Sequence, residues 1–315
     1  MNRAFKITFI TPCFCRGADC SETGEPEIRP PSIRGQLHWW FRATGGIPAD
    51  ENVIFGSVHG GQTASPVVVR VRAPLTPQTV SVATLPHKSG GPAAPKKALA
   101  AGSSFDLLIS TRLGGLKPEL EKKFNRALEA WLLMGALGLR ATRAGGNFIW
   151  EERNASVPLA NTDKQAVCPT FPYPATPATY EDAIARVTTG TTLRATLLNS
   201  DYTTAEAARR DITDTLSHAA FAAQGFPLGA VKQGGKDTSG APIRKTSPLR
   251  FRVVKFPAAT IRGNTAAGAT FRILAIWDGR QQVTGNTQYD LSAAIEQLAT
   301  ANKPIGALLS QRSLF

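Results

Sequence analysis

Arg34, His38 and Arg42 recur every four residues in SIRGQLHWWFRA, and Arg140 and Arg143 stand among glycines in GALGLRATRAGG. Cationic side chains at helical spacing form one stripe, and glycines let backbone amides approach a ligand closely. Both arrangements suit the oxygens of a phosphate backbone. A third cationic stretch, residues 224–256, carries Lys232, Lys236, Arg244, Lys245, Arg250, Arg252 and Lys255, offset only by Asp237. Its first half is made pliable by Gly234, Gly235 and Gly240, and strand alternation sets Arg250 and Arg252 on one face. The candidate phosphate-binding set is therefore Arg34, His38, Arg42, Arg140, Arg143, Gly145, Gly146, Arg244, Lys245, Arg250 and Arg252. Each stretch also has a plain structural alternative: a solvated basic edge, a glycine-bearing helix C-terminus, a solubilising loop.

Bond-breaking chemistry is thinly provided for. The four histidines, His38, His59, His87 and His218, lie in no H-x-x-x-H arrangement, and neither G-x-S-x-G nor a D-x-D metal cluster occurs. Ser57 and His59 in FGSVHG have the composition of a turn. The glycine stretch follows a helix rather than a strand and lacks G-x-x-x-x-G-K-[ST], which excludes the usual ATP and dinucleotide signatures. Cys13, Cys15 and Cys20 are spaced C-x-C-x4-C, with only Cys168 left as a fourth thiolate. Reduced thiols are the expectation rather than a zinc site. We thus expect no catalytic residue, no metal and no cofactor.

Lys and Arg number 36 against 23 Asp and Glu, a formal charge of +13 on 315 residues of which 42% are hydrophobic. Such a chain folds, and its summed field favours polyanions, nucleic acid first. A membrane is the weaker alternative, since no apolar run of about 20 residues occurs. The expected location is the cytoplasm.

These side chains need elements to hold them. The spacing predicts a helix from Ile33 to Thr44, capped by Ser32, with Ile33, Leu37, Trp40, Phe41 and Thr44 on the packed face. Strands are predicted at 4–12, 65–74, 104–113 and 145–153, and a long helix over 117–138, the order of a ferredoxin-like split βαβ unit. Residues 84–103, with Gly, Pro and Lys throughout, read as a long mobile loop, and the proline-studded 156–180 as a linker. Beyond it come a strand (191–200), a helix (205–220), an antiparallel pair (247–256 and 268–279) and a final helix (291–301). The expected fold is α+β: ferredoxin-like domains at 1–155 and 181–315, joined by that linker.

Together, Thr11-Pro12, RGADC (16–20), RPPSIRGQLHWWFRA (29–43), IFGS (54–57), GALGLRATRAGG (135–146) and the looser GFPLG and RKTSPLRFRV resemble the RAMP proteins of type III CRISPR effector complexes. Within that superfamily the likeness is to the two-domain capping subunit of type III-B (Cmr) assemblies, at the end holding the guide RNA 3′ portion. Thr142 stands where the family usually has the first arginine of a pair, and Ala144 where it has glycine. The resemblance implies a non-catalytic protein that touches guide RNA, target RNA or both, and that assembles with other RAMP subunits in antiviral defence. It also implies that the first helix turns Arg34, His38 and Arg42 toward RNA while Trp39 packs on a neighbouring subunit. Two rivals remain open: a metal-independent guide-processing endoribonuclease with His38 as general acid or base, and a free-standing RNA chaperone.

Overall fold

The computed structural model describes residues 1–17, 24–58, 63–72, 77–86, 95–112, 114–153, 171–217, 249–257, 260–261, 264–265 and 268–278. The first part runs β1 (Asn2–Phe9), α1 (Pro30–Ala43), α2 (Pro48–Phe55), β2 (Val67–Arg72), β3 (Thr79–Val82), β4 (Lys96–Leu99), β5 (Ser104–Thr111), α3 (Pro118–Met134) and β6 (Phe148–Arg153). The second runs α4 (Pro177–Thr188), β7 (Leu193–Leu197), α5 (Ala205–Ser217), β8 (Arg250–Phe256), the two-residue strands β9 (Thr260–Ile261) and β10 (Asn264–Thr265), and β11 (Thr270–Asp278).

Alternation in β1 turns Phe5, Ile7 and Phe9 to one face, where all three are buried. β1 pairs antiparallel with β5 on one side and β6 on the other, and β2 closes the far edge of β5, giving the order β2-β5-β1-β6. This is the strand order of a ferredoxin-like unit. Helices α1 and α3 meet over the sheet, α1 through Ile33, Leu37, Trp40 and Phe41 and α3 through Phe124, Leu128, Trp131 and Leu132. The second sheet has the order β7-β11-β8, all antiparallel, with α5 between β7 and β8 in the chain. That is the β-α-β-β portion of the same unit. The final helix expected at 291–301 lies outside the described residues.

Several local expectations are corrected. α1 starts at Pro30, not Ile33, and Arg29 rather than Ser32 occupies the N-cap, with no side-chain cap. Two prolines at the first two helical positions have no N–H to satisfy, so a capping hydroxyl is dispensable, and the Ser32 amide donates to Arg29 O at 3.0 Å. Residues 84–103 are not all loop: Lys96–Leu99 pair with Thr79–Val82 as a hairpin. Leu99 and Cys13 exchange backbone hydrogen bonds at 3.0 Å, which ties that hairpin to the segment after β1. The linker prediction ran through the start of α4. Pro177 sits where a helix tolerates proline, and Thr176 and Thr179 form a reciprocal cap. α4 buries Tyr180, Ala183, Ile184 and Val187 against α3 and β7. α2 was not foreseen.

One hydrophobic core runs from Phe5 and Trp131 through Tyr180 to Val254, Phe256, Leu274 and Ile276. The alternate residues Val253, Ile273, Ala275 and Trp277 join Ala208 and Ile212 of α5 in a second cluster. β11 is therefore covered on both faces, which explains its unbroken apolar run ILAIW.

Two glycines test this arrangement from opposite sides. Gly35 lies inside α1, where an added Cβ meets nothing within 4 Å, whereas at Gly146 (φ +62°) it would lie 1.9 Å from Leu137 O. Urea unfolding should show Gly35→Ala more stable by about 0.5–1 kcal/mol and Gly146→Ala less stable by more than about 2 kcal/mol.

Candidate nucleic-acid interface

The predicted stripe on α1 exists, but a neighbouring helix partly spends it. Glu51, in the first turn of α2 and only 5% exposed, lies 2.6 Å from His38 Nδ1 and accepts from Arg42 Nε at 2.7 Å. The His38 ring stacks on Phe55 with centroids 4.0 Å apart. Arg34 donates to the Phe55 carbonyl and lies over the same ring. Burial acts to raise the Glu51 pKa, but hydrogen bonds and charge from Arg42 and His38 outweigh it and hold the carboxyl below its ordinary value. Arg42 keeps 67% of its side chain exposed. Arg34 and His38 are thus engaged with α2, and Arg42 is the member of the stripe that reaches furthest into solvent.

The glycine loop after α3 departs from its expected role. Gly145 donates its amide to Arg140 O at 3.0 Å and Gly146 to Pro12 O at 2.9 Å, and both residues are buried. These amides do not serve a ligand; the glycines admit close approach of the loop to Leu137, Leu139 and Arg140. Arg140 (φ 63°) and Ala144 (φ 56°) are the non-glycine residues in the left-handed region among those described, a conformation costing roughly 1 kcal/mol each. Arg140 is exposed. A cleft of about 340 Å³ separates the loop's Gly138 and Leu139 from Arg29, Ser32 and Gln36 at the start of α1.

β8 docks on this loop. The Ala144 amide donates to Phe251 O at 3.2 Å, and the Phe251 amide to Thr142 O at 3.1 Å. Arg252 is corrected from a phosphate ligand to a structural tie. It is 1% exposed, and its guanidinium donates to Leu132 O at 2.7 Å, Gly135 O at 2.8 Å and the Phe148 carbonyl. Arg250, two residues earlier, instead lays its guanidinium 3.8 Å from the Trp39 ring centroid. Burial pulls its pKa down to about 10. Burial and, in smaller part, the charge of Arg140 pull Arg143 down to about 10 as well. Arg209 of α5 is 1% exposed, donates to Thr84 O at 2.7 Å and lies over Phe14. Its pKa is lowered by burial foremost, with Arg140 again contributing.

The structure therefore brings Arg140, Arg143 and Arg250 to one seam, between the glycine loop and the second sheet, and sets Arg34, His38 and Arg42 against α2. Arg244 and Lys245 lie outside the described residues, as do Cys20 and Cys168. Cys13 is buried with its thiol donating to Leu137 O at 3.4 Å, and Cys15 is half-buried. Among the described residues no three His, Cys, Asp or Glu side chains come together, and no helix is long and apolar enough to cross a membrane. Sequence reasoning missed Glu51, Arg209 and the pairing of Arg250 with Trp39. A usable signal for Glu51 was the acidic pair Asp50-Glu51 just after Pro48-Ala49, the composition of a first helical turn.

Because its pKa is depressed, Glu51 adds stability above its unfolded pKa, and that contribution disappears as pH falls through the folded value. Glu51→Gln should therefore unfold at lower urea than the wild type at pH 7, with the gap closing below about pH 4, where unfolded glutamate protonates. Parallel titrations at the two pH values check this.

Residues 6–149 match the model of the RAMP superfamily. A 62-residue stretch is 39% identical to the CRISPR system Cmr subunit Cmr1-2 of Pyrococcus furiosus, covering 17% of this chain and 32% of that protein. That match spans about a third of the curated relative's length. The crystal structure of apo Cmr1 from Pyrococcus furiosus superposes with a TM-score of 0.52 at 18% identity, over 89% of each chain. Residues 6–149 are thus similar to the RAMP superfamily, and over most of its length the chain shares a fold with Cmr1.

Proposed function

We propose that this protein is a non-catalytic, RNA-binding capping subunit of a type III-B CRISPR effector complex, gripping the backbone of guide RNA, target RNA or both beside other RAMP subunits. The observation that carries this reading is the seam. Arg140, Arg143 and Arg250 gather there; burial disfavours the charge of Arg143 and Arg250, and at Arg143 the charge of Arg140 adds to it. A polyanion laid across them relieves both penalties. The similarity to Cmr1 and the net charge of +13 support it. Phosphate contacts of this kind position a strand without reading its bases, and pairing by the guide supplies sequence specificity.

Fluorescence anisotropy with labelled single-stranded RNA tests this. If about five phosphates are neutralised, log K falls with log salt at a slope near −3.5, because each contributes roughly 0.7. The double variant Arg140→Ala/Arg143→Ala should flatten the slope by about 1.4 and weaken all sequences alike. Arg34→Ala, which removes a contact to α2, should lower thermal stability more than it moves the slope. A slope near zero in the wild type would sink the proposal.

One observation favours the enzymatic rival: His38 is oriented by a carboxylate at 2.6 Å, as a general base is. Stacking on Phe55 gives that pair a packing role as well. We expect no cleavage of guide-precursor or target RNA, with or without Mg²⁺ or Mn²⁺. Cleavage present in the wild type and lost in His38→Ala would put the enzyme first.

A further inference from the structure

We propose that Trp39 is a stacking platform for one unpaired RNA base, backed by Arg250, at the seam where the glycine loop meets β8; this rests on the RNA-binding reading above. Of the chain's 5 tryptophans, Trp40 and Trp131 are 0% exposed, Trp150 3% and Trp277 4%, while Trp39 is 37% exposed. Its place on α1 explains the difference. Trp40 points into the core with Ile33 and Leu37, and Trp39, one position earlier, leaves the opposite flank from Arg34 and faces β8.

Two features prepare this indole for a flat ligand. The Arg250 guanidinium lies over the ring at 3.8 Å and the Trp40 ring meets it edge-on, which holds it in place. One helical turn back, toward the end to which helical side chains lean, stands Gly35, with open space where a side chain would be. The indole therefore borders a bare step of helix. The chemistry of the surroundings decides between occupants. On its own helix Trp39 is flanked by Gly35, Gln36, Arg42 and Ala43, and across from it lies Arg250. These are bare, small, polar or cationic positions, with no large apolar side chain among them as in a protein-interface core. The residue after Arg250, Phe251, is hydrogen-bonded to the loop that carries Arg140 and Arg143. A base on Trp39 thus has phosphate ligands next to it. Aromatic stacking of this kind accepts any base, in keeping with a subunit that does not read sequence.

The test uses the full chain, a short fluorescein-labelled oligouridylate and an abasic oligomer with the same phosphates. Anisotropy reports binding. Acrylamide quenching of tryptophan emission reports Trp39, the other four being buried. We expect oligouridylate, but not the abasic oligomer, to shield the emission from acrylamide. Trp39→Ala should bind oligouridylate on the order of tenfold more weakly and the abasic oligomer as the wild type does, with Trp39→Phe retaining most affinity. Gly35→Gln fills the open step without touching the indole. It should reproduce the loss, which covers the case of an alanine variant that folds poorly. If oligouridylate binds but leaves quenching unchanged, or binds wild type and Trp39→Ala equally, stacking is wrong while the RNA reading stands. Loss of neighbouring-subunit capture at unchanged RNA affinity would assign Trp39 to a protein contact instead. No binding of either oligomer at low salt overturns both readings.

Discussion

A buried guanidinium holds this protein together. At its C-terminus α3 leaves carbonyls without intrahelical donors, and the negative end of its dipole gathers there. Arg252 enters from β8 and satisfies Leu132 O, Gly135 O and the Phe148 carbonyl at once, with its Cζ 4.8 Å from the Phe148 ring centroid. Among the described residues no carboxylate forms an ion pair with it, and the helix end and the carbonyl dipoles offset the cost of burying the charge. Its Nε is buried and meets no hydrogen-bond acceptor among the described residues. Together with the shared core and the hydrogen bonds between β8 and the glycine loop, this side chain ties the second sheet to the first.

The remaining charges follow from that docking. Once β8 lies on the loop, Arg250 comes over Trp39, and Arg143 lies in the strand-like bridge to Phe251. Burial then makes Arg143 and Arg250 poorer holders of charge, while Arg140 adds repulsion. The strained left-handed backbone of Arg140 and Ala144 belongs to the same turn. On the far flank of α1 the opposite happens. Glu51 neutralises part of the stripe and ties α2 to α1. The chain thus separates a cationic flank tied to Glu51 from a cationic seam where burial, and at Arg143 also the charge of Arg140, disfavours the charged form.

The glycines of the loop show how one residue type carries two explanations. Their number and the neighbouring arginines read as a phosphate cradle, yet Gly145 and Gly146 donate their amides within the fold, and Gly146 cannot gain a methyl group without striking Leu137 O. On the reading proposed above, what the loop offers RNA is its side chains, Arg140 and Arg143, since the amides of Gly145 and Gly146 are already used within the fold.

Local periodicity by itself determined the elements: β1 from alternating Phe5, Ile7 and Phe9, the packed face of α1 from Ile33, Leu37, Trp40 and Phe41, and the order of strands and helices that makes the first sheet ferredoxin-like. It also marked Arg140 and Arg143 as candidates. Such patterns repeat over a few residues, so they are legible wherever one side of an element is buried. Only the tertiary structure decided what lies opposite each element. Alternation put Arg250 and Arg252 on one face of β8 but could not say that one of them meets an exposed indole and the other a helix end. Spacing found the stripe on α1 but not Glu51, which comes from another helix. Charge and capping are settled by neighbours distant in sequence, and a one-dimensional pattern contains no record of which segments those are.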